Sequence, residues 1–244
     1  MKTKLAVFDF DDTIKERYIA TKDSMLVLLT KLFPDPKKVE QIWNELKNNV
    51  TATHTLWEVL NKNADASKSE LIEIIENDGR LVNGMDKVLE KLSYDHDIII
   101  VSHNDCALIS PFLAKYNLLE FIKEVFAKPI IINDEGKFVN KAGLNMGFIP
   151  ENWSGYCGSE LSSPFCKTAV LKSYLKDNHE YESIIYFGDG ANDLCPALSL
   201  CPNDIICPRQ GFPLEDLLKS DPSKAQLVSW NDGSDILKCE NIFA

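Results

Sequence analysis

The sequence predicts an α/β protein: a parallel sheet core flanked by helices, with a small helical domain inserted after the first strand. Three observations carry that prediction. The apolar run over residues 5–10 meets the acids Asp9, Asp11 and Asp12. A second run, 183–187, meets the same fate at Gly188-Asp189-Gly190-Ala191-Asn192-Asp193. Residues 16–80 read as helical throughout, whereas after residue 83 helix and strand alternate. Strands apolar on both faces belong inside α/β sheets, whose ligands bind beyond the strands' carboxyl ends.

Residues 5–10 form the first buried strand. Met25, Leu28, Leu29 and Leu32 recur at helical spacing, as do Val39, Ile42, Trp43 and Leu46, with Pro34 and Pro36 between the two stripes. Leu56, Val59 and Leu60 mark a third helix, and Leu71, Ile74 and Ile75 a fourth over 67–77. These stripes make 16–80 an inserted helical cap and leave 1–15 and 81–244 as the α/β core. A helix over 86–92 precedes the strand 97–101, centred on Ile98-Ile99-Ile100, and a helix over 107–116 follows. Residues 128–139 read as a hairpin turning at Asn133-Asp134-Glu135-Gly136. Ser163-Pro164 reads as a helix start, serine capping and proline in the first position, with the helix running to 175. Residues 183–187, 204–207 and 226–229 complete the strands, and a short helix follows each of the last two.

The bulk composition narrows the function. A hydrophobic share of 45% over 244 residues supports a real core, as one large domain or a core with a smaller companion. With 26 basic against 37 acidic residues the net charge is −11, which argues against a nucleic-acid partner. No stretch is apolar for the length of a membrane span. The opening Met1-Lys2-Thr3-Lys4 lacks the apolar region of a signal peptide, so a cytoplasmic protein is expected. The seven cysteines (Cys106, Cys157, Cys166, Cys195, Cys201, Cys207 and Cys239) do not make a secreted disulfide framework. Cys195, Cys201 and Cys207 are evenly spaced but lack CxxC pairs and adjacent histidines, so buried thiols are expected rather than zinc. The sequons at Asn49 and Asn152 have no secretory context and are not expected to carry glycans.

Two acidic clusters at neighbouring strand ends point to a hard cation and phosphate chemistry. A carboxylate that attacks a phosphate dianion meets like-charge repulsion, and a bound Mg²⁺ relieves it. Asp9 and Asp189 are placed to supply ligands from different strands. Asp11, two residues beyond Asp9, suits protonation of a leaving alkoxide and deprotonation of water. Ser102, at the end of the second long strand, and Lys167, in the first turn of a helix, suit the phosphoryl oxygens.

The run Asp9-Phe10-Asp11-Asp12-Thr13, then Ser102, then Lys167, then Gly188 to Asp193 resembles the four ordered motifs of the haloacid dehalogenase superfamily, over the whole chain. Gly188 to Pro196, Pro208-Arg209-Gln210-Gly211-Phe212-Pro213 and Cys166-Lys167 are similar to its phosphoethanolamine/phosphocholine phosphatase and pyridoxal phosphate phosphatase branch. The resemblance implies a Rossmann-like core with the cap of that superfamily. It implies Asp9 as a nucleophile that becomes an aspartyl phosphate and Asp11 as general acid/base. Metal contacts would come from Asp9, Asp11 through its carbonyl, Asp189 and Asp193, the last through the metal's water shell. Thr13, Ser102 and Lys167 would orient the phosphoryl group, and His103 reads either as a substrate contact or as a loop histidine.

Two departures bear on the substrate. Ala20 stands where the branch carries an acidic residue, and Ser102-His103-Asn104-Asp105 lacks the aspartate expected directly after the serine. Those acids suit a cationic amine, so a neutral or anionic leaving group is expected. The resulting reading is an Mg²⁺-dependent phosphatase of a small phosphorylated metabolite, pyridoxal phosphate or a similar ester. A phosphomutase satisfies the same motifs. A catalytically weak phosphate-binding or regulatory protein fits less well, because it has little reason to keep Asp9, Asp11, Lys167 and Asp189 together. Trp43, His54 and Trp57 are read as cap core in preference to pocket lining. Oligomeric state is not legible in the sequence.

Overall fold

A computed structural model describes residues 3–16, 24–48, 61, 66–77, 79–128, 130–140, 166–178 and 181–243. In chain order, the first part contains β1 (Lys4–Phe8), β2 (Lys15–Glu16), α1 (Ser24–Leu32), α2 (Pro36–Asn48), α3 (Lys68–Glu76) and β3 (Arg80–Leu81). Then come α4 (Met85–Leu92), β4 (His96–Asp105), α5 (Cys106–Lys115), β5 (Glu124–Lys128), β6 (Ile130–Ile132) and β7 (Phe138–Asn140). The last part runs α6 (Lys167–Asp177), β8 (Ser183–Gly188), α7 (Leu194–Leu198), β9 (Ile205–Pro208), α8 (Pro213–Ser220), β10 (Gln226–Leu227) and α9 (Gly233–Lys238).

The predicted α/β class is the class observed. Six strands form one sheet in the order β10-β9-β8-β1-β4-β5, with every pairing parallel. β1 is buried at its centre because its residues are apolar on both faces. Ala6 and Phe8 pack with α4, α5 and α9, whereas Leu5 and Val7 pack with α6 and α8. Register decides where the chemistry lies. Phe8 is opposite Ile100 of β4 on one side and Phe187 of β8 on the other, so the acidic residues after β1 and β8 emerge side by side.

β2 and β3 pair antiparallel, with Lys15 opposite Leu81 and Glu16 opposite Arg80, so the two ends of the segment 16–80 meet. Within the segment, α3 starts at a capping box: Glu70 N donates to Ser67 Oγ (3.3 Å) and Ser67 N to Glu70 Oε2 (2.7 Å). Leu29, Phe33, Ile42, Leu71 and Ile75 share a separate core with Ala107 and Leu108 of α5 and with Ile130 and Phe138 of the β6–β7 hairpin. Trp43 packs half-buried against that core, as expected, while His54, Trp57 and the 56–60 stripe lie outside the described residues. The hairpin turn forms where predicted, because Asn133 Oδ1 accepts from Glu135 N and Lys137 N and Gly136 takes φ +73°.

Several boundaries differ from expectation. Cys166 is extended (φ −116°, ψ 114°), so α6 begins at Lys167 and not at Pro164; residues 163–165 lie outside the described set. β4 runs four residues past Val101, because its polar end Ser102-His103-Asn104-Asp105 stays extended and re-pairs with β5 at Asp105 after a register shift. β5 itself, Glu-Val-Phe-Ala-Lys, went unpredicted, being short and flanked by charge. Cys201 is exposed, against the expectation of buried thiols, and no disulfide joins the described cysteines; Cys157 and both sequons lie outside the described residues.

α9 meets the turn before α4 at a close backbone approach. A Cβ on Gly233 would lie 2.4 Å from the carbonyl carbon of Gly84 and 2.6 Å from its oxygen. Gly233→Ala is therefore expected to destabilise the fold by about 1–3 kcal/mol through overpacking, read as a lower urea midpoint at unchanged slope.

Candidate active site

β1 stops at Phe8, and the chain curls at once. Asp9 N donates to Phe187 O (2.9 Å), while Phe10 O accepts from Ile14 N (2.9 Å) and Lys15 N (3.0 Å). Asp12 takes the left-handed conformation at φ +56°, which an aspartate tolerates better than most residues. The curl turns Asp9 inward, where it is buried. Lys167, the first residue of α6, enters from the other side and is itself only 2% exposed. Its ammonium lies 2.8 Å from Asp9 Oδ1 and 2.7 Å from Asp193 Oδ1.

Asp193 organises the loop after β8. Oδ1 accepts from Lys167 Nζ and from Tyr186 Oη, both at 2.7 Å. Oδ2 accepts from Asp189 N (3.3 Å) and Gly190 N (3.1 Å). The fit requires glycine at 188, since a Cβ there would fall 2.7 Å from Asp193 Cγ. Asp189 projects beside Asp9, and Thr13 Oγ1 lies 3.5 Å from Asp189 Oδ1. Asp11 is aimed by Asn104, whose Nδ2 donates to Asp11 Oδ2 at 2.8 Å, and Asn104 N donates in turn to Ser102 Oγ at 3.1 Å. Ser102 is buried within β4, two residues past the partner of Phe8, and His103 beside it is half-buried. Arg209 braces the whole turn from behind: Nη1 donates to Asp12 O (2.8 Å), Nη2 pairs with Glu16 (3.1 Å) and Nε donates to Asn231 O (3.2 Å).

Asp9, Lys167, Asp189, Asp193 and Thr13 are thus joined in one network. Asp11 and Ser102 are linked to each other through Asn104, and His103 lies beside Ser102 in β4. Sequence reasoning passed over four residues. Tyr186 had a legible signal, because a phenol in an otherwise apolar strand needs a buried partner. Asn104, Lys15 and the role of Arg209 had none, since their partners are distant in sequence or created by the curl.

The electrostatics are those of an acidic pocket short of positive charge. Burial pushes Asp9 up to about 7 even though Lys167 pulls it down. Burial, then the charges of Asp9 and Asp193, push Asp189 up to about 9. Burial opposes the charge on Lys167, but Asp193 and Asp9 outweigh it and hold the ammonium above its ordinary value. Asp9, Asp189 and Asp193 offer carboxylate oxygens within 4.8 Å of one another. Three carboxylates around one ammonium, all oxygen donors, fit a hard divalent cation.

The fold and this site together define a phosphatase with a haloacid dehalogenase-like fold. The family model described as "Putative Phosphatase" matches residues 4–240, and the chain belongs to that family. Curated relatives agree in kind and differ in named substrate. Over 246 residues the chain is 24% identical to the pyridoxal phosphate phosphatase PHOSPHO2 of Mus musculus, covering 96% of this chain and 95% of that protein. It is 25% identical to the inorganic pyrophosphatase 2 of Arabidopsis thaliana, covering 94% and 80%. The probable phosphatase phospho1 of Danio rerio is 27% identical over 62% of this chain, and the match spans about half, 54%, of that relative. Among solved structures, a substrate-bound phosphoserine phosphatase complex superposes with a TM-score of 0.56 at 18% identity, over 98% of each chain, a likeness of fold. No helix among the described residues is long and apolar enough to cross a membrane.

The raised carboxyls have a measurable sign. Folded Asp9 and Asp189 hold protons that the unfolded chain has released, so their contribution to stability is complete below the unfolded value of 3.8. It is lost as pH climbs through about 7 and about 9. In EDTA the melting temperature is expected to fall as pH rises through that window, and Asp189→Asn to flatten the decline. Added divalent cation is expected to raise the melting temperature more at the alkaline end, because protons no longer compete for the carboxylates.

Proposed function

We propose that this protein is an Mg²⁺-dependent phosphomonoester hydrolase that works through an aspartyl-phosphate on Asp9. The observation that carries the reading is the contact between the Asp9 carboxylate and the buried Lys167 ammonium, beside Asp189 and Asp193. Asp9, Asp189 and the main-chain carbonyl of Asp11 would hold the metal, which supplies positive charge to the phosphoryl oxygens and relieves the repulsion between dianion and carboxylate. Asp193 would act through Lys167 and the loop it organises, its oxygens being already engaged.

In the first half-reaction an Asp9 oxygen attacks phosphorus and the ester P–O bond breaks. The Asp11 carboxyl gives its proton to the departing oxygen, so the alcohol leaves neutral and Asp9 carries the phosphoryl group. In the second, water attacks that phosphorus, its proton passes to the Asp11 carboxylate, the Asp9–phosphate bond breaks and phosphate leaves. Lys167, Ser102 and Thr13 bind and orient the phosphoryl oxygens, and His103 is either a substrate contact or a loop histidine. Residues 16–80 form a cap over the core made by 1–15 and 81–244, excluding water during transfer.

The substrate is a small phosphorylated metabolite, with pyridoxal phosphate or a comparable ester preferred. A relative matched over nearly its whole length is named for that substrate, and the residue directly after Ser102 is His103 and not an acid suited to an amine. A cytoplasmic location accords with the composition.

Phosphate release from a panel of esters, with Mg²⁺ and with EDTA, tests the reading. Asp9→Asn is expected to lose on the order of a thousandfold or more in kcat while keeping its fold, as loss of a nucleophile does. Normal turnover by that variant would falsify the assignment. On the same panel, kcat/KM for pyridoxal phosphate is expected to exceed that for phosphocholine and phosphoethanolamine; the reverse order would refute the argument from Ala20 and His103.

A further inference from the structure

Lys15 stands where an apolar residue would pack most simply. Its side chain is almost wholly buried, 1% exposed over the residue, against the rings of Phe10 and Phe112, with Nζ 5.9 and 5.8 Å from their centroids. Both rings belong to the main core. Lysine is among the residues least often buried, because its ammonium must leave water. The position is nevertheless built for it. Lys15 N donates to Phe10 O (3.0 Å), Lys15 O accepts from Asp12 N (2.6 Å), and the residue pairs with Leu81 across β2 and β3. Gly79, at φ +83°, leaves the space, since a Cβ there would fall 2.8 Å from Lys15 Cε. The ammonium ends 3.8 Å from Asp11 Oδ1. On the other side of that carboxylate, Oδ2 accepts from Asn104.

We propose that Lys15 is a positioning residue for Asp11: with Asn104 it clamps the carboxyl so that one oxygen faces the ester oxygen and, later, the attacking water. The inference rests on the assignment of Asp11 as the acid/base. A hydrogen bond to Oδ2 alone leaves the carboxyl free to pivot about its donor. An ammonium fixed by aromatic walls and a two-strand base removes that freedom, as preorganisation of a catalytic group requires. The aromatic faces also attract the cation and ease its burial.

The test uses the dependence on leaving group. Para-nitrophenolate departs without a proton, so phosphorylation of Asp9 by para-nitrophenyl phosphate does not need Asp11, whereas an alkyl phosphate such as glycerol phosphate does. Lys15→Met fills the slot without the charge, and Lys15→Gln keeps the length and some polarity should the first fail to fold. Either variant is expected to lose about tenfold or more in kcat for the alkyl ester. KM and inhibition by inorganic phosphate should hold, as should the single-turnover burst of para-nitrophenol. Loss of the burst in step with the alkyl ester, or no loss with either substrate, overturns the inference. Asp11→Asn, measured beside them, separates the two levels. If it retains alkyl-ester turnover, the acid/base assignment falls and Lys15's role with it. If it shows the leaving-group signature and the Lys15 variants do not, only the inference about Lys15 falls.

Discussion

The structure depends most on one ion cluster, the Lys167 ammonium held between Asp9 and Asp193. An ammonium this deeply buried is stable only while its carboxylates stay in place, and removal of either would leave an uncompensated charge in the interior. The three residues come from the end of β1, the start of α6 and the loop after β8. Their meeting therefore constrains elements distant in sequence to one geometry. The stacked rings of Phe8 and Phe187, with centroids 4.3 Å apart, lie directly beneath and lock the strands in the register that sets Asp9 and Asp189 side by side. Core packing and site chemistry are coupled at that point: a slip of β1 against β8 would misplace the phenyl rings and separate the acids together.

Around the cluster, support comes from groups that do no chemistry themselves. Tyr186 and the amides of Asp189 and Gly190 fill the acceptor sites of Asp193 that Lys167 leaves open. Arg209, stacked near Phe212 and Trp230, ties the strained carbonyl of Asp12 and the side chain of Glu16 to the far side of the sheet. A tight curl after a central strand has many backbone donors and acceptors in little space; Phe10 O takes the amides of Ile14 and Lys15, Lys15 O takes that of Asp12, and Asp12 O accepts from Arg209. The result is a turn whose side chains point where its backbone dictates.

The parallel sheet was legible because apolar runs such as 5–10 and 183–187 have few other destinations, and the capping and turn chemistry at Ser67 and Asn133 is local. The acids were legible because they cluster at strand ends, where α/β sheets bind ligands. Other features were hidden for a common reason: their determinants lie far apart in the chain. The polar tail of β4 is extended only because β5 re-pairs with it. Nothing in residues 102–105 announces that Asn104 will reach Asp11, 93 positions away. Lys15 reads as an ordinary surface lysine until the curl brings it under Asp11. The start of α6 shows the opposite case: Ser163-Pro164 is a good local signal, but Cys166 is extended and the helix begins at Lys167.

Charge gives the last connection. The chain carries −11, yet its proposed substrate is an anion and its proposed nucleophile a carboxylate. Long-range attraction is not available, so capture depends on positive charge concentrated within a few ångströms, where a low local dielectric makes it effective. Lys167 supplies one such charge, and it is already shared between two carboxylates. Burial is the main cause that raises Asp9 and Asp189, and the neighbouring carboxylates add to this imbalance. In the proposed mechanism the same imbalance links two requirements usually treated separately. A divalent cation held by Asp9 and Asp189 would take the place of the protons that burial favours there, so that Asp9 would be ionised, and would supply positive charge for a phosphate dianion. Burial of the acids would in that way tie metal binding to the ionisation of Asp9.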